Sequence, residues 1–313
     1  MLPQILVDRS MKTLRIATRQ SALALWQANH VKGLLETHHH ELNCEIVGMT
    51  TEGDRNKVSP LSQMGGKGVF VKELESALLE GGADIAVHSM KDMPGELPEG
   101  LEIAAIVERA SPKDAFVANT FDSLAHLPSG ATVGSSSLRR VLQIREAYPS
   151  LDFRELRGNV DTRLRKLDEG QYDAIILAVA GLERLGLGER VTSEVPTDVC
   201  IPAAGQGAVG IECRQDDVSI RELLASINHE ATSVCVSAER RVTLALGATC
   251  NLPIAVFANV TGAEIEISSF VSNPAGDSVI RERISGPEIE SGLLAAELGD
   301  RLLGRGADRL IAQ

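Results

Sequence analysis

Short apolar runs alternate with helix-forming segments along the first two-thirds of the chain, and this alternation restricts the fold more than any other feature. The runs typical of strands cover residues 14–18, 46–49, 84–87, 116–118, 132–134, 154–157 and 173–179. Helical patterns lie between them, through Val31, over 70–79, from Leu138 and over 160–169. Strands that alternate with helices are typical of α/β domains with largely parallel sheets.

The pattern changes after about residue 230. An Ala- and Arg-rich segment predicts a helix over 233–246, alternating residues predict strands within 254–271, and an amphipathic segment predicts a helix over 293–303. We therefore expect a separate α+β domain at the C-terminal end. A chain of 313 residues is also longer than most single hydrophobic cores support.

Charge and composition exclude several classes of function. Lysine and arginine number 31 against 43 acidic residues, and the resulting net charge of -12 disfavours binding to nucleic acid or to an anionic membrane. The first ten residues do not resemble a secretory signal and no run approaches a membrane span, so we expect a cytoplasmic protein. The five cysteines form no CxxC pair, which favours reduced thiols and predicts no metal site.

Several predicted strand ends and helix starts carry groups that bind anions. Ser21 is placed as the N-cap of the first helix, and Ser135, Ser136 and Ser137 precede another helix. Arginines recur at these places, namely Arg19, Arg139, Arg140, Arg157, Arg163 and Arg184. Each one could instead pair with a surface carboxylate, but their repeated placement favours a site for a polyanion.

Two further residues are candidates for chemistry. Asp92 follows Lys91 in a loop after the strand at 84–87, where nearby charges can tune its pKa. Cys250 lies in a Gly/Ala/Thr turn, a context that suits a reactive thiol. Taken alone, a surface carboxylate and an inert buried thiol are the competing interpretations.

The loop at 50–68 is a candidate lid. Its segment Gly65–Gly68 lacks the spacing of a Walker phosphate-binding loop, which argues against nucleotide binding.

Six segments together resemble the porphobilinogen deaminase family, over nearly the whole chain from Leu14 onward. They are RIATRQS (15–21), GGKGVFVKELE (65–75), DIAVHSMKD (84–92), GSSSLRR (134–140), LRGNV (156–160) and PAAGQGAVGIECR (202–214). The resemblance implies condensation of four porphobilinogen molecules, with loss of ammonia, into the linear tetrapyrrole hydroxymethylbilane. It also implies a dipyrromethane cofactor, attached through a thioether to Cys250.

The resemblance further implies roles for individual residues. Asp92 matches the catalytic carboxylate, and Lys91 accompanies it as a residue that positions carboxylates. The residues matching cofactor-binding positions are Lys91, Asp92, Ser135, Ser136, Ser137, Arg139, Arg140 and Cys250. Those matching substrate-binding positions are Arg19, Ser21, Phe70, Arg157, Arg163, Arg184 and Gln206.

The fold that the resemblance implies has three domains. Two α/β domains resembling periplasmic binding proteins are expected at 13–107 plus 208–226 and at 112–203, and a small α+β domain carrying the cofactor cysteine at 230–313. A monomer is expected. Ala248 and Thr249 stand where the family often has two glycines before the cysteine, and Gln63 stands where it often has a basic residue.

Two other interpretations remain open from the residues alone. A non-enzymatic binding protein for a small polycarboxylate would share the α/β pattern and the arginines. A cysteine hydrolase would pair Cys250 with His88 or His229, although no local signature of such a family is present.

Overall fold

A computed structural model describes residues 13–51, 53, 71–247 and 252–312. They form two compact units. The first unit consists of the described residues up to Glu108 together with Val209–Ser233, and the second consists of Arg109–Ala208 and the described residues from Val234 onward.

The first unit contains a five-stranded sheet of order β2-β1-β3-β10-β4. Its strands are β1 (Thr13–Arg19), β2 (Asn43–Met49), β3 (Ile85–Ser89), β4 (Leu101–Ile106) and β10 (Val209–Arg214). β1 runs parallel to both β2 and β3, whereas β10 lies antiparallel between β3 and β4. The helices of this unit are α1 (Ala22–His38), α2 (Lys72–Leu79) and α6 (Val218–Ala225).

Alternation along β1 explains how the helices cover this sheet. Leu14 and Ile16 point into one core, which α1 and α6 complete, while Ala17 points into a second core with Leu74 and Leu78 of α2. Successive strand residues face opposite sides, so one strand supplies both cores. The sheet is therefore buried on both faces, as in other α/β domains.

The second unit contains a sheet with the same pattern, of order β7-β6-β8-β5-β9. Its strands are β5 (Asp114–Val117), β6 (Thr132–Gly134), β7 (Asp152–Arg154), β8 (Ala174–Ala178) and β9 (Ser193–Val195), and its helices are α3 (Leu138–Ala147), α4 (Val160–Asp168) and α5 (Val179–Arg184). Here β5 is the antiparallel strand, between β8 and β9. Ile144 of α3 packs on one face, and Leu164 of α4 and Leu182 of α5 pack on the other.

The C-terminal part of this unit has its own core. The helix α7 (Glu230–Ala245) precedes a three-stranded antiparallel sheet of β11 (Ile254–Thr261), β12 (Glu264–Ser272) and β13 (Val279–Pro287), which α8 (Ser291–Gly304) and α9 (Ala307–Ile311) follow. The fully buried Glu239 of α7 accepts hydrogen bonds from the Arg109 guanidinium and from the amides of Gly205 and Ala258. A buried carboxylate thus ties this part to the segment before β10.

The predicted fold class is confirmed: two α/β sheets and a smaller α+β part with a three-stranded sheet. Three details differ from the sequence-based predictions. Each α/β sheet contains an antiparallel strand, the strand predicted at 154–157 is Asp152–Arg154, and the strands β4, β9 and β13 were not predicted. The three domain boundaries stay a prediction. Within the described residues, no helix is long and apolar enough to cross a membrane.

Candidate active site

A pocket in the first unit collects residues from the ends of two strands and the start of a helix. Arg19 ends β1, Ser21 precedes α1, His88 and Ser89 end β3, and Asp92 lies three residues further on. All five line the pocket. Because β1 and β3 are parallel neighbours, their carboxyl ends lie at the same edge of the sheet, where α/β proteins commonly bind ligands.

The turn that carries Asp92 is held on both sides. β3 continues two residues beyond its predicted end and passes into a 3-10 turn over Met90–Asp92. The Gln27 side-chain amide donates to the Ser89 hydroxyl at 2.8 Å, and Met90 is buried against Gly210. A Cβ atom at Gly210 would lie 2.1 Å from the Met90 sulfur, so a side chain there would require the buried methionine side chain to move. Asp92 itself is partly exposed to the pocket.

The start of α1 provides an anion-binding end to the same pocket. The Ser21 hydroxyl accepts a hydrogen bond from the Ala24 amide at 3.3 Å, which confirms the predicted N-cap. The first turn of α1 contains no acidic residue. Free amides at a helix start and the Arg19 guanidinium both favour a carboxylate.

A buried carboxylate organises two of the predicted arginines in the second unit. Arg139 Nη1 and Arg140 Nε each donate to the fully buried Asp114 at 2.8 Å. Arg139 also donates to the carbonyl oxygen of Ile201 at 2.7 Å. Burial would raise the pKa of Asp114, but the two guanidinium groups outweigh it and hold that pKa well below its ordinary value. Both arginines are themselves buried and already face a protein carboxylate.

Gln206 completes this arrangement. Its amide nitrogen donates to Pro112 O at 2.6 Å and to Asp114 Oδ1 at 2.9 Å, and its amide oxygen accepts from Arg140 Nη2 at 3.3 Å. Its side chain is buried, and both ends of the amide are engaged inside the unit. The structure thus places Gln206 as a support for Asp114 and Arg140.

Arg163 lies close to Arg140 and has different surroundings. Its Nε donates to the carbonyl oxygen of Gly158 at 2.7 Å. Burial, and then the positive charge of Arg140, lower the pKa of Arg163 to about 10. Two cations held together in a partly buried place are a typical environment for an anionic ligand.

The two remaining predicted arginines of the second unit, Arg157 and Arg184, contact groups other than Asp114. Arg157 Nε donates to Glu155 at 2.6 Å, and Arg184 Nη2 donates to Gly207 O at 2.7 Å. Burial lowers the pKa of Arg184.

The serine run precedes α3 as predicted. Ser135 is buried and its hydroxyl accepts from the Ser137 amide at 3.3 Å, while Ser136 is exposed. Ser137 is the N-cap residue, yet among the described residues its side chain makes no capping hydrogen bond. The first turn of α3 contains no acidic residue, so this helix start also favours an anion.

Some predicted features lie outside the described residues, namely Cys250, Phe70, most of the candidate lid at 50–68 and the departures Gln63, Ala248 and Thr249. Lys91 is described and partly exposed beside Asp92. Within the described part of the chain, no group of three residues could hold a metal ion.

Sequence reasoning missed four buried carboxyl groups, those of Glu75, Asp114, Glu212 and Glu239. Their partners lie far away along the chain, so no local pattern identifies them. The adjacent arginines at 139 and 140 were the one available signal, since two buried guanidinium groups need a counter-charge.

Fold and site together define an α/β protein whose two sheets each hold anion-binding groups, with a carboxylate among those of the first sheet. Two family models match the sequence: "Porphobilinogen deaminase, dipyromethane cofactor binding domain" over residues 14–222, and "Porphobilinogen deaminase, C-terminal domain" over 233–304. A porphobilinogen deaminase from Methylobacillus flagellatus is 50% identical over 301 residues, which are 96% of this chain and 97% of that protein. The chain belongs to the porphobilinogen deaminase family.

Solved structures with a similar arrangement are more distant. The periplasmic VFT2 domain of Bordetella pertussis BvgS, as a double mutant, is 16% identical and has a TM-score of 0.41, covering 73% of this chain and 93% of that one. The methionine-binding protein MetQ is 13% identical with a TM-score of 0.44, covering 73% of this chain and 95% of that one.

Proposed function

We propose that this protein is a transferase that joins four porphobilinogen molecules head to tail, with release of ammonia. The product is hydroxymethylbilane, the linear tetrapyrrole from which haem and chlorophyll are made. The observation that carries this conclusion is the 50% identity with a porphobilinogen deaminase across 96% of the chain. Family membership argues against the alternative of a non-enzymatic polycarboxylate-binding protein.

The proposed cofactor is a dipyrromethane bound through a thioether to Cys250. When bound, it supplies the free pyrrole position from which the chain of rings grows. Its acetate and propionate groups would be held by Lys91, Ser135, Ser136, Ser137, Arg139 and Arg140, whereas Asp92 would accept hydrogen bonds from its pyrrole N–H groups. The N-terminus of α3, which among the described residues has no side-chain cap and no acidic residue in its first turn, and the neighbouring guanidinium groups of Arg140 and Arg163 suit a group with several carboxylates.

We assign the carboxylates of the incoming porphobilinogen to Arg19, Ser21, Arg157, Arg163 and Arg184, with Phe70 as a further substrate contact. The start of α1 supports the first two, because its free amides and the Arg19 guanidinium lie in the pocket with Asp92. Gln206 serves the substrate indirectly, since it holds Asp114 and Arg140 in place.

Asp92 performs the chemistry in this proposal. The carbon–nitrogen bond of the aminomethyl group breaks, ammonia leaves, and the substrate becomes an electron-poor azafulvene cation. The free α-carbon of another pyrrole attacks this cation and afterwards loses its proton. A carboxylate that accepts hydrogen bonds from the pyrrole N–H groups stabilises the positive charge and can take up that proton. Lys91, next to it, positions the substrate carboxylates.

We further propose a cytoplasmic monomer. The net charge of -12 supports the absence of nucleic-acid partners, because phosphate backbones repel an acidic protein. Sedimentation of the purified protein at several concentrations tests the monomer, and a mass that doubles with concentration contradicts it.

Intact-mass measurement, combined with a turnover assay, tests the whole proposal. Protein produced with porphobilinogen available should be heavier than its sequence by a two-pyrrole adduct that survives dialysis and denaturation. It should also release ammonia from porphobilinogen. Cys250→Ala should lack the adduct, whereas Cys235→Ala, a matched change of a buried thiol in α7, should keep it. A wild-type protein that lacks the adduct and releases no ammonia would contradict the proposal.

A further inference from the structure

Three buried titratable side chains lie in the first unit, and one of them, His88, lines its pocket. His88 Nε2 is 2.9 Å from Glu212 Oε2, and these two side chains are 4% and 0% exposed. The antiparallel register pairs His88 with Gly210 and Ala86 with Glu212, so His88 and Glu212 lie on the same face of the sheet. Their contact therefore joins β3, which leads to Asp92, to β10.

Glu75 of α2 adds a second carboxyl group to this pair. It is 6% exposed, and burial, followed by the negative charge of Glu212, raises the pKa of Glu75 to about 7, against a smaller opposing effect of Lys72. One oxygen of Glu75 and one of Glu212 are buried and accept no hydrogen bond from the described residues. When hydrogen-bond donors do not satisfy all their oxygens, two neighbouring buried carboxylates repel each other, and the state in which both are ionised is unfavourable.

His88 connects these carboxyl groups to the reacting site. It lines the pocket together with Arg19, Ser21 and Asp92, and it stands four residues before Asp92 on the strand that carries the catalytic turn. The Ser89 and Met90 contacts fix the backbone between the two residues. A change in charge at this group of three side chains therefore acts through His88 on the pocket that Asp92 lines.

We propose that His88, Glu212 and Glu75 form a buried triad whose single exchangeable proton sets the charge that acts on the pocket of Asp92 and with it the rate of condensation. With two protons among the three groups the triad is neutral, and with one proton it carries one negative charge. The negative state stabilises the cation that forms at the substrate, so turnover rises as the proton leaves. This proposal rests on the proposed function, because that reaction builds up positive charge beside Asp92. Glu75 and Glu212 are positioning residues, since they act through His88.

The other charged groups around α2 have their own partners or lie farther along its length. Arg15 of β1 pairs with Asp84, and Arg214 of β10 donates to the carbonyl oxygens of Leu78 and Ala83. The titratable groups on α2 and on the elements packed against it are Lys72, Glu73, Glu80, Arg15, Arg19, His88, Glu212, Cys213 and Arg214. Of these, Glu212 and Lys72 are the ones that move the pKa of Glu75.

The test is the pH profile of kcat for the cofactor-loaded enzyme. In wild type, kcat should rise with pH through an inflection near 7, by about 3- to 10-fold for the gain of one negative charge. Glu75→Gln should remove that inflection and keep kcat at the low-pH level, with KM unchanged. Glu80→Gln, the same change at the exposed end of α2, should keep the wild-type profile. An inflection that persists in Glu75→Gln would overturn the proposal.

A second variant covers the case in which Glu75→Gln fails to fold. Lys72 is exposed, and its charge lowers the pKa of Glu75, so Lys72→Met should move the inflection to higher pH without affecting folding. An unmoved inflection would contradict the triad. Each variant is also checked for its two-pyrrole adduct and for ammonia release. If the variants carry the cofactor and are active but keep the wild-type pH profile of kcat, the triad is refuted and the proposed function is not. If the wild-type protein carries no adduct and does not turn over porphobilinogen, the proposed function is refuted.

Discussion

The two α/β sheets share one strand pattern but neutralise a buried carboxylate in opposite ways. In each sheet the antiparallel strand carries the acid, Glu212 on β10 and Asp114 on β5. Asp114 is surrounded by two arginines and the Gln206 amide. Glu212 instead faces a histidine and a second carboxyl group, that of Glu75.

This difference separates a permanent charge from an adjustable one. A guanidinium does not lose its proton in proteins, so Asp114 stays ionised throughout the physiological range. Burial and the negative charge of Glu212 raise the pKa of Glu75 to about 7, so this carboxyl group exchanges its proton near neutral pH. We infer that the second sheet supplies fixed charge for binding, and the first supplies charge that responds to pH beside the reacting groups.

The largest expected effect is on stability, from Asp114→Asn. The change leaves Arg139 and Arg140 buried without their carboxylate, which should cost about 3–5 kcal/mol of unfolding free energy. The native pKa of Asp114 is lowered from 3.8, so its contribution is present above that value and is lost only as pH falls through the native pKa. Urea unfolding at pH 7 and pH 5 should therefore give the same cost. Asp168→Asn, which removes a surface partner of Arg190, should cost under about 1 kcal/mol. Equal costs for both variants would contradict the assignment of Asp114 as the buried counter-charge of the second sheet.

Asp92→Asn should have the next largest effect, confined to turnover. The asparagine amide keeps the shape of the side chain but cannot balance a cation, so kcat should fall by about 100- to 1000-fold. Because Asp92 is partly exposed, the urea midpoint should hardly move. Stopped assays of ammonia release on cofactor-loaded protein measure the loss, with the exposed Glu99→Gln as control. Near-normal turnover would transfer the catalytic role to another group.

Glu75→Gln should change how stability depends on pH. The pKa of Glu75 rises from 4.5 to about 7 on folding, so wild type should lose stability as pH rises between these values and stay lower above them. The loss amounts to roughly 2–3 kcal/mol. In Glu75→Gln this slope should vanish, and the variant should be more stable than wild type at pH 8. Urea midpoints from pH 4 to pH 8 decide the matter, and a wild-type stability that increases over this interval would contradict the buried acid pair.

Arg163→Leu should have the smallest effect and sharpens the role of the second sheet. The loss of one carboxylate-binding group should raise KM for porphobilinogen by about tenfold, ~1.4 kcal/mol, with kcat little changed. Removal of a cation beside Arg140 should not reduce stability. Arg165→Leu, two residues further along α4 and paired with Glu169 at the surface, is the matched control. Indistinguishable KM values for the two variants would take Arg163 out of the binding site.

The local elements were predictable because their signals lie within a few residues. Ser21 before an apolar helix predicted the N-cap, and the structure has it. The strand at 132–134 and the helix from Val160 were also predicted at the observed positions. The end of β3 was placed two residues early, since Pro94 stops the strand pattern but does not reveal the 3-10 turn before it.

The buried charges were not predictable in the same way. Asp114 meets Arg139 and Gln206 across 25 and 92 residues, and His88 meets Glu212 across 124. Arg139 and Gln206 were singled out as ligand contacts, and the sequence could not reveal that a protein carboxylate engages them. The roles of Asp92 and Cys250 came from the family resemblance, because neither stands out chemically among its neighbours.

The contact between Gly210 and Met90 has a consequence for how this gene can vary. Position 210 belongs to no proposed ligand contact, yet any side chain there would push on the buried Met90 side chain, which belongs to the turn of Asp92. In a library selected for growth without added haem precursors, codon 210 should tolerate fewer replacements than its exposed neighbours in the following turn. A residue that belongs to no proposed substrate contact would then be among the least replaceable in the protein.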